Sequence, residues 1–251
     1  MEYLLLTATV IPQKEQKNLS VWDSDKRFEE YREALIYYAG FLGNKLDRLI
    51  FVENSGADLD LLKGEIKNLG CEDRVAFIQF SGLDYSPEWG RGYGEVRLIN
   101  YAFDHSDWLK NLHREDVVWK CTGRYKIRNL GRMIDRKPSC FHLYCDLRRY
   151  PSRWLDMRLM ACSFEGYQKY LQPLEKLFSE GSVSKNPEEL AYDMLAQVVE
   201  RNGNIVPRFN VQPKIDGVCG FTGENYLKGR KNQLKQGVRV FCRKVFPWLW
   251  I

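Results

Sequence analysis

The chain has 251 residues, 44% hydrophobic, 14% aromatic and 28% charged, with a formal net charge of +5. That is enough for one large domain or two small ones around a sizeable core, and the apolar and aromatic content excludes a disordered chain. No apolar run approaches the roughly 18 residues needed to cross a bilayer, and the opening segment lacks the basic start of a signal peptide. Seven cysteines without a Cys-x-x-Cys pair point to reduced thiols and a cytoplasmic setting. Three histidines without ligand spacing argue against a zinc enzyme.

In chain order, residues 3–11 read as a buried strand ended by Pro12. Ser24 or Asp25 caps a helix with apolar positions Phe28, Tyr31, Leu35, Tyr38 and Leu42. A second strand over 48–53 breaks at Asn54 and Ser55, and a helix over about 58–69 follows. A third strand spans 74–80, a glycine-rich loop leads to a helix over about 94–113, and a fourth strand covers 116–121. Residues 140–146 and 157–163 read as further strands, and 165–179 and 187–202 as helices. Strands alternating with helices predict an α/β domain with a mostly parallel central sheet over residues 1–226, followed by a basic C-terminal helix over 227–251.

Ligands of an open parallel sheet bind outside the carboxyl ends of its strands. The residues expected there are Thr7 and Thr9, Glu53, Asn54 and Ser55, Gly92, Gly94 and Glu95, and Lys120, Thr122, Gly123 and Arg124. They are small, polar or basic, as a nucleotide site requires. The Gly90–Gly94 string lacks the full Gly-x-Gly-x-x-Gly spacing, so a nicotinamide-binding fold is disfavoured. Its glycines let backbone approach a ligand, and Glu95 is expected to open a helix whose amides face an anion. Lys120, Thr122 and Arg124 place two cations and a hydroxyl at one strand end, suited to a diphosphate.

The tail explains the positive charge. From residue 228 onward there are basic residues and no acidic ones, leaving residues 1–227 with a net −2. Leu227, Leu234, Val238, Phe241 and Val245 follow a helical stripe, with Lys231, Lys235, Arg239 and Arg243 on another face. Trp248 and Trp250 complete a pattern suited to an anionic membrane surface, where indoles sit at headgroup level. The alternative is a helix packed on the body with its basic side solvated. A nucleic-acid partner is not expected, because the body is acidic and carries no recognised nucleic-acid module.

On Thr7 and Thr9, residues 51–56, 92–95, 98–102, 119–125 and 187–192, and Gly217 through Tyr226, the chain resembles small bacterial glycosyltransferases of surface-polysaccharide (capsule and O-antigen) clusters. Residues 119–125 are the most specific part. The resemblance implies a GT-A type fold, a nucleotide-sugar donor, a lipid-linked or polysaccharide acceptor, and a place on the inner face of the plasma membrane. Such enzymes usually hold a divalent metal on an Asp-x-Asp motif; here Lys120 to Arg124 occupy that position. The expectation is therefore an inverting enzyme without a metal cofactor, with Lys120 and Arg124 neutralising the departing diphosphate. Asp146, at a strand end, leaves a metal-dependent version open. The strings Asp23/Asp25 and Asp58/Asp60 read as helix caps.

An acceptor hydroxyl needs a carboxylate base. Glu188 and Glu189, at the start of a late helix, are the candidates; the resemblance puts Glu189 ahead, with Asp146 and Asp156 in reserve. Two acids at a helix N-terminus also serve the helix dipole, so a purely structural role stays open. Arg148, Arg149, Arg153 and Arg158 crowd one region and are candidates for the charge of a lipid-linked acceptor. The alternative function is a non-catalytic nucleotide-binding or membrane-peripheral scaffold protein.

Overall fold

The computed structural model describes residues 1–14, 19–181, 185–201, 204–219, 223, 226, 237–242 and 245–246. Its first half runs β1 (Glu2–Ala8), α1 (Ser24–Ala39), β2 (Arg48–Glu53), α2 (Asp60–Asn68), β3 (Val75–Gln79), α3 (Gly90–His105), α4 (Asp107–Lys110) and β4 (Val117–Thr122). The second half adds β5 (Lys126–Ile127), α5 (Leu130–Asp135), β6 (Leu143–Tyr144), β7 (Leu147–Arg148), β8 (Trp154–Leu155), β9 (Leu159–Cys162), α6 (Phe164–Gly166), α7 (Leu174–Gly181), α8 (Pro187–Glu200), β10 (Ile205–Val206) and β11 (Ile215–Asp216).

Seven strands form the central sheet in the order β10-β6-β9-β4-β1-β2-β3. β1 pairs in parallel with β2 and with β4, and β2 with β3. β9 lies antiparallel between β4 and β6, which alternation of strands and helices does not foretell. The fold is thus α/β with a mostly parallel sheet. The chain leaves β1 toward β2 and β3 and then returns to β1's other edge as β4. That reversal makes the β1/β4 boundary a topological switch point, where the crevice of an open sheet lies.

Both faces of the sheet are covered. Leu4, Leu6, Phe51 and Trp119 pack with α1 residues Tyr31, Leu35 and Tyr38 on one side. Tyr3, Leu5, Ile50 and Val118 pack with α3 residues Val96, Ile99 and Phe103 on the other. Because strand side chains alternate, Thr7 follows Tyr3 and Leu5 to the α3 side, and Lys120 and Thr122 follow Val118 there. A lysine is thereby placed in a core strand.

Asp23, one residue before the expected Ser24 or Asp25, caps α1 by accepting from Lys26 N at 2.8 Å; α2 has no side-chain cap, and Asp58 instead accepts from Asp60 N at 2.8 Å within the turn before it. The glycine-rich string is not a loop, since α3 begins at Gly90 and Glu95 lies in its second turn. Close packing is the reason. A Cβ on Gly92 would come 2.6 Å from the Pro187 Cβ, and one on Gly94 2.2 Å from the Tyr85 hydroxyl oxygen. Glycine there lets the starts of α3 and α8 touch. All seven cysteines are free, and no helix among the described residues is long and apolar enough to cross a membrane.

Candidate active site

A cleft of about 210 Å³ opens at the switch point. Its wall brings together Thr7, Thr9, Gly92, Gly94, Glu95, Thr122, Arg124, Arg158 and Glu188 from the sequence expectations, with Arg27, Arg91, Tyr85, Trp154 and Tyr226 in addition. Four guanidiniums therefore face a space that holds two glutamates.

Glu95 is fixed at its centre. Thr7, opposite Thr122 in the β1/β4 register, donates to Glu95 Oε1 at 2.6 Å, and Thr122 donates to the same oxygen at 2.9 Å. Lys120 forms an ion pair with it from the buried side. With 1% of its side chain exposed, Lys120 lies beneath the cleft and its charge is matched by Glu95. It is thus placed to hold a carboxylate, not to reach a diphosphate as expected, because strand alternation turns it into the core under α3.

Arg124 is on the wall, paired with Glu30 of α1 at 2.6 Å. Gly123 stands behind it: a Cβ there would meet the Thr7 carbonyl oxygen at 2.9 Å, and Gly123 N donates to that carbonyl. Arg27 donates through Nε to the Thr9 carbonyl at 2.9 Å and is buried. Arg158 donates to Asp156 Oδ1 at 2.7 Å and lies over the Tyr226 ring, 4.5 Å from its centroid. Arg91 is exposed at the rim and has no ion-pair partner among the described residues.

Of the two late glutamates, Glu188 lines the cleft and Glu189 is exposed off its wall. One step along a helix turns a side chain by about 100°. Asn186 caps α8 by accepting from Glu188 N at 3.2 Å. Burial raises the Glu188 carboxyl above its ordinary value; Arg91 opposes the rise, and Asp156 and Glu95 reinforce it.

Glu53, Asn54 and Ser55 do not line the cleft. Glu53 is fully buried and accepts from the backbone N–H groups of Val10, Ser55 and Ala57. Asn54 accepts from Thr9 Oγ1 at 2.6 Å, and Ser55 Oγ accepts from Ile11 N at 3.0 Å. They tie the loop after β2 to the loop after β1, because buried polar groups at a strand end must find partners.

Asp146 lies outside the wall as well, 1% exposed and bound to Arg148 at 3.3 Å. Asp156, beside it, takes Arg148 and Arg158. Burial alone would raise Asp156, but Arg158 and Arg148 outweigh it and hold the carboxyl well below the ordinary carboxylate range. The four crowded arginines thus separate: Arg148 and Arg158 serve these aspartates, while Arg149 and Arg153 border a second groove with Tyr192 and Gln197 of α8. No three His, Cys, Asp or Glu side chains gather as a metal site among the described residues. The described wall of the cleft carries no aspartate, so it does not present an Asp-x-Asp pair to a ligand.

In the tail, residues 237–242 are helical, with Phe241 59% and Val238 49% exposed. Arg239 is half-buried near the aspartate cluster; burial, then Arg148, lowers its pKa to about 10. Lys231, Lys235, Arg243, Trp248 and Trp250 lie outside the described residues.

Arg27, Tyr85, Trp154 and Tyr226 were not singled out from sequence as site residues. Arg27 carried one signal: spaced four residues before Tyr31, it puts a cation on the buried stripe of α1.

No family model matches the sequence, and no curated protein matches it. In overall arrangement the chain is similar to a nucleotide-diphospho-sugar transferase from Desulfovibrio desulfuricans G20, at 13% identity over 82% of this chain and 78% of that one, with a TM-score of 0.45. It is also similar to galactosyltransferase LgtC, solved with donor and acceptor sugar analogues, at 10% identity over 78% and 70%, with a TM-score of 0.47. A cytidylyltransferase from Leptospira borgpetersenii gives 12%, 83%, 77% and 0.40 respectively. These overlays bear on no residue's role.

Proposed function

We propose that this chain is a GT-A type glycosyltransferase that moves a sugar from a nucleoside-diphosphate donor to a hydroxyl of a lipid-linked or polysaccharide acceptor. The observation that supports it is the joint presence, in one switch-point cleft, of Arg91, Arg124 and Arg158 with a carboxylate of raised pKa, Glu188. Guanidiniums match the charge that grows on a departing diphosphate, and bidentate contacts orient it. A carboxylate whose pKa is raised toward the working pH suits removal of the acceptor's proton. In this reading Glu188 takes that role ahead of Glu189, the outcome at the anomeric carbon is inversion, and the arginines replace a metal. The basic tail holds the enzyme on the anionic inner face of the plasma membrane, where a lipid-linked glycan is displayed during surface-polysaccharide synthesis.

The test is thermal denaturation with UDP, GDP, CDP, ADP and dTDP, each with manganese and with chelator. Ligand at about 100 times its Kd adds ~2.7 kcal/mol, which at this chain length raises Tm by roughly 5–10 °C. A rise for one nucleotide that survives chelator is the expected result. A rise that needs manganese overturns the metal-free site, and none with any nucleotide overturns the donor.

A further inference from the structure

Glu95 neutralises the buried Lys120 through Oε1, which leaves the role of its other oxygen, on a residue that lines the cleft, to be accounted for. Its geometry is specific. The Thr7 and Thr122 hydroxyls and Lys120 all converge on Oε1, and Oε2 takes no hydrogen bond among the described residues. Two adjacent strands and a core lysine thus hold one ionised carboxylate in fixed orientation at the cleft, with one oxygen uncommitted. A fixed anion of this kind stabilises a cation. Among the described residues no group of three His, Cys, Asp or Glu side chains gathers to hold a metal ion there. The other cation within reach of a sugar donor is the positive charge that develops on the sugar ring as its bond to the diphosphate breaks.

We infer that Glu95 is a catalytic residue that faces the anomeric carbon and stabilises this oxocarbenium-like charge; the inference rests on the glycosyl-transfer reading above. In the step, the bond from C1 to the diphosphate oxygen breaks and its electron pair stays on that oxygen, beside the arginines. The acceptor oxygen forms the new bond to C1, and its proton passes to Glu188. Glu95 is ionised before and after, forms no bond, and interacts more strongly with the transition state than with the neutral donor, which is the requirement for lowering a barrier.

Glu95→Gln keeps the shape and the oxygen that accepts from both threonines, and removes the charge. The expected result is a loss of about 100- to 1000-fold in the hydrolysis or transfer rate of the nucleotide sugar that the wild type uses. The Kd of the matching nucleoside diphosphate is unchanged or tighter, since a repulsion has gone. Glu95→Asp, which restores charge at the expense of shape, is expected to be faster than Glu95→Gln. A role confined to neutralising the buried Lys120 predicts the same order but also predicts that adding Lys120→Met to Glu95→Gln restores the rate; that restoration, or a Glu95→Gln rate within about threefold of wild type, overturns the inference.

A measurement on the unmodified chain covers the case in which the substituted chains do not fold. A deoxynojirimycin-type iminosugar, cationic at the ring, is expected to bind more tightly when the nucleoside diphosphate is present, as measured by calorimetry. No such enhancement overturns the role of Glu95. If the unmodified chain binds no nucleoside diphosphate at all, the glycosyl-transfer reading itself fails, and this inference falls with it.

Discussion

Gly92 of α3 and Pro187 of α8 are packed so closely that a methyl on Gly92 would lie 2.6 Å from the Pro187 Cβ. Pro187 is the residue before Glu188, so this contact sets where the proposed base stands. A ring carbon of the fully buried Phe178 lies 3.6 Å from the same point, so an added methyl meets both side chains. Gly92→Ala is therefore expected to destabilise the fold by about 1–3 kcal/mol, the usual range for overpacking. It also displaces Glu188, so turnover falls further than nucleoside diphosphate affinity. Urea denaturation and a titration with the donor nucleotide check the two effects separately.

Glu188 itself gives a second test with a sign. Its carboxyl is raised by burial, so the folded state binds its proton more tightly than the unfolded chain does. Such a group favours the folded state fully below its unfolded pKa, and that contribution is lost as pH rises through the folded pKa. At neutral pH the ionised group is thus a net burden on the fold. Glu188→Gln is expected to leave Tm unchanged or higher at pH 7, with the difference shrinking below pH 4, while transfer is abolished. A variant that transfers normally, or one that melts earlier at pH 7, contradicts the assignment.

Much of this site was legible because strand ends and alternation can be read from sequence. Thr7, Thr122 and Glu95 meet because period-two strands turn two hydroxyls to one face and α3 presents a carboxylate between them. Where the reading missed, long-range geometry decided. Glu53 looked like a strand-end ligand group, but its carboxylate is consumed by the N–H groups of Val10, Ser55 and Ala57. Lys120 looked like a phosphate ligand, and only its pairing with a helix 25 residues earlier shows otherwise. The antiparallel insertion of β9 left no trace, since Leu159–Cys162 is buried and apolar throughout and such a run has no direction. Arg158 and Tyr226 join the cleft wall from segments far apart in sequence, and no local pattern links them.

Asp156 offers a stability test independent of any ligand. It is 4% exposed, and its carboxyl is held well below the ordinary carboxylate range by Arg158 and Arg148 against the effect of burial. A group with a depressed folded pKa contributes stability above its unfolded pKa and loses it as pH falls through the folded value. Asp156→Asn leaves two guanidiniums short of a counter-charge, so a loss of about 3–5 kcal/mol at pH 7 is expected. The gap from wild type should narrow only below the ordinary carboxylate value of 3.8. Denaturant curves from pH 7 to pH 2 read this out; a gap that stays constant across the range removes the ionic explanation.

The tail makes the last prediction. Val238, Val240, Phe241, Val245 and Phe246 are all exposed, an apolar concentration that five residues in so short a stretch rarely show on a monomer's surface. The half-buried Arg239 of the same helix lies near Asp146 and Asp156, so the cation faces the body while Phe241 is left to solvent. With a basic and acid-free sequence around it, this surface matches anionic lipid, where each basic side chain near the surface contributes up to ~1 kcal/mol. The intact chain is expected to float with phosphatidylglycerol-containing vesicles and not with pure phosphatidylcholine, and to be released as salt shortens the screening length. Replacing Val238 and Phe241 with serine should weaken flotation while leaving nucleoside diphosphate binding unchanged, because neither residue lines the cleft. Equal binding to neutral vesicles would point to apolar contact alone, and no binding to either would return the tail to the role of a helix packed on the body.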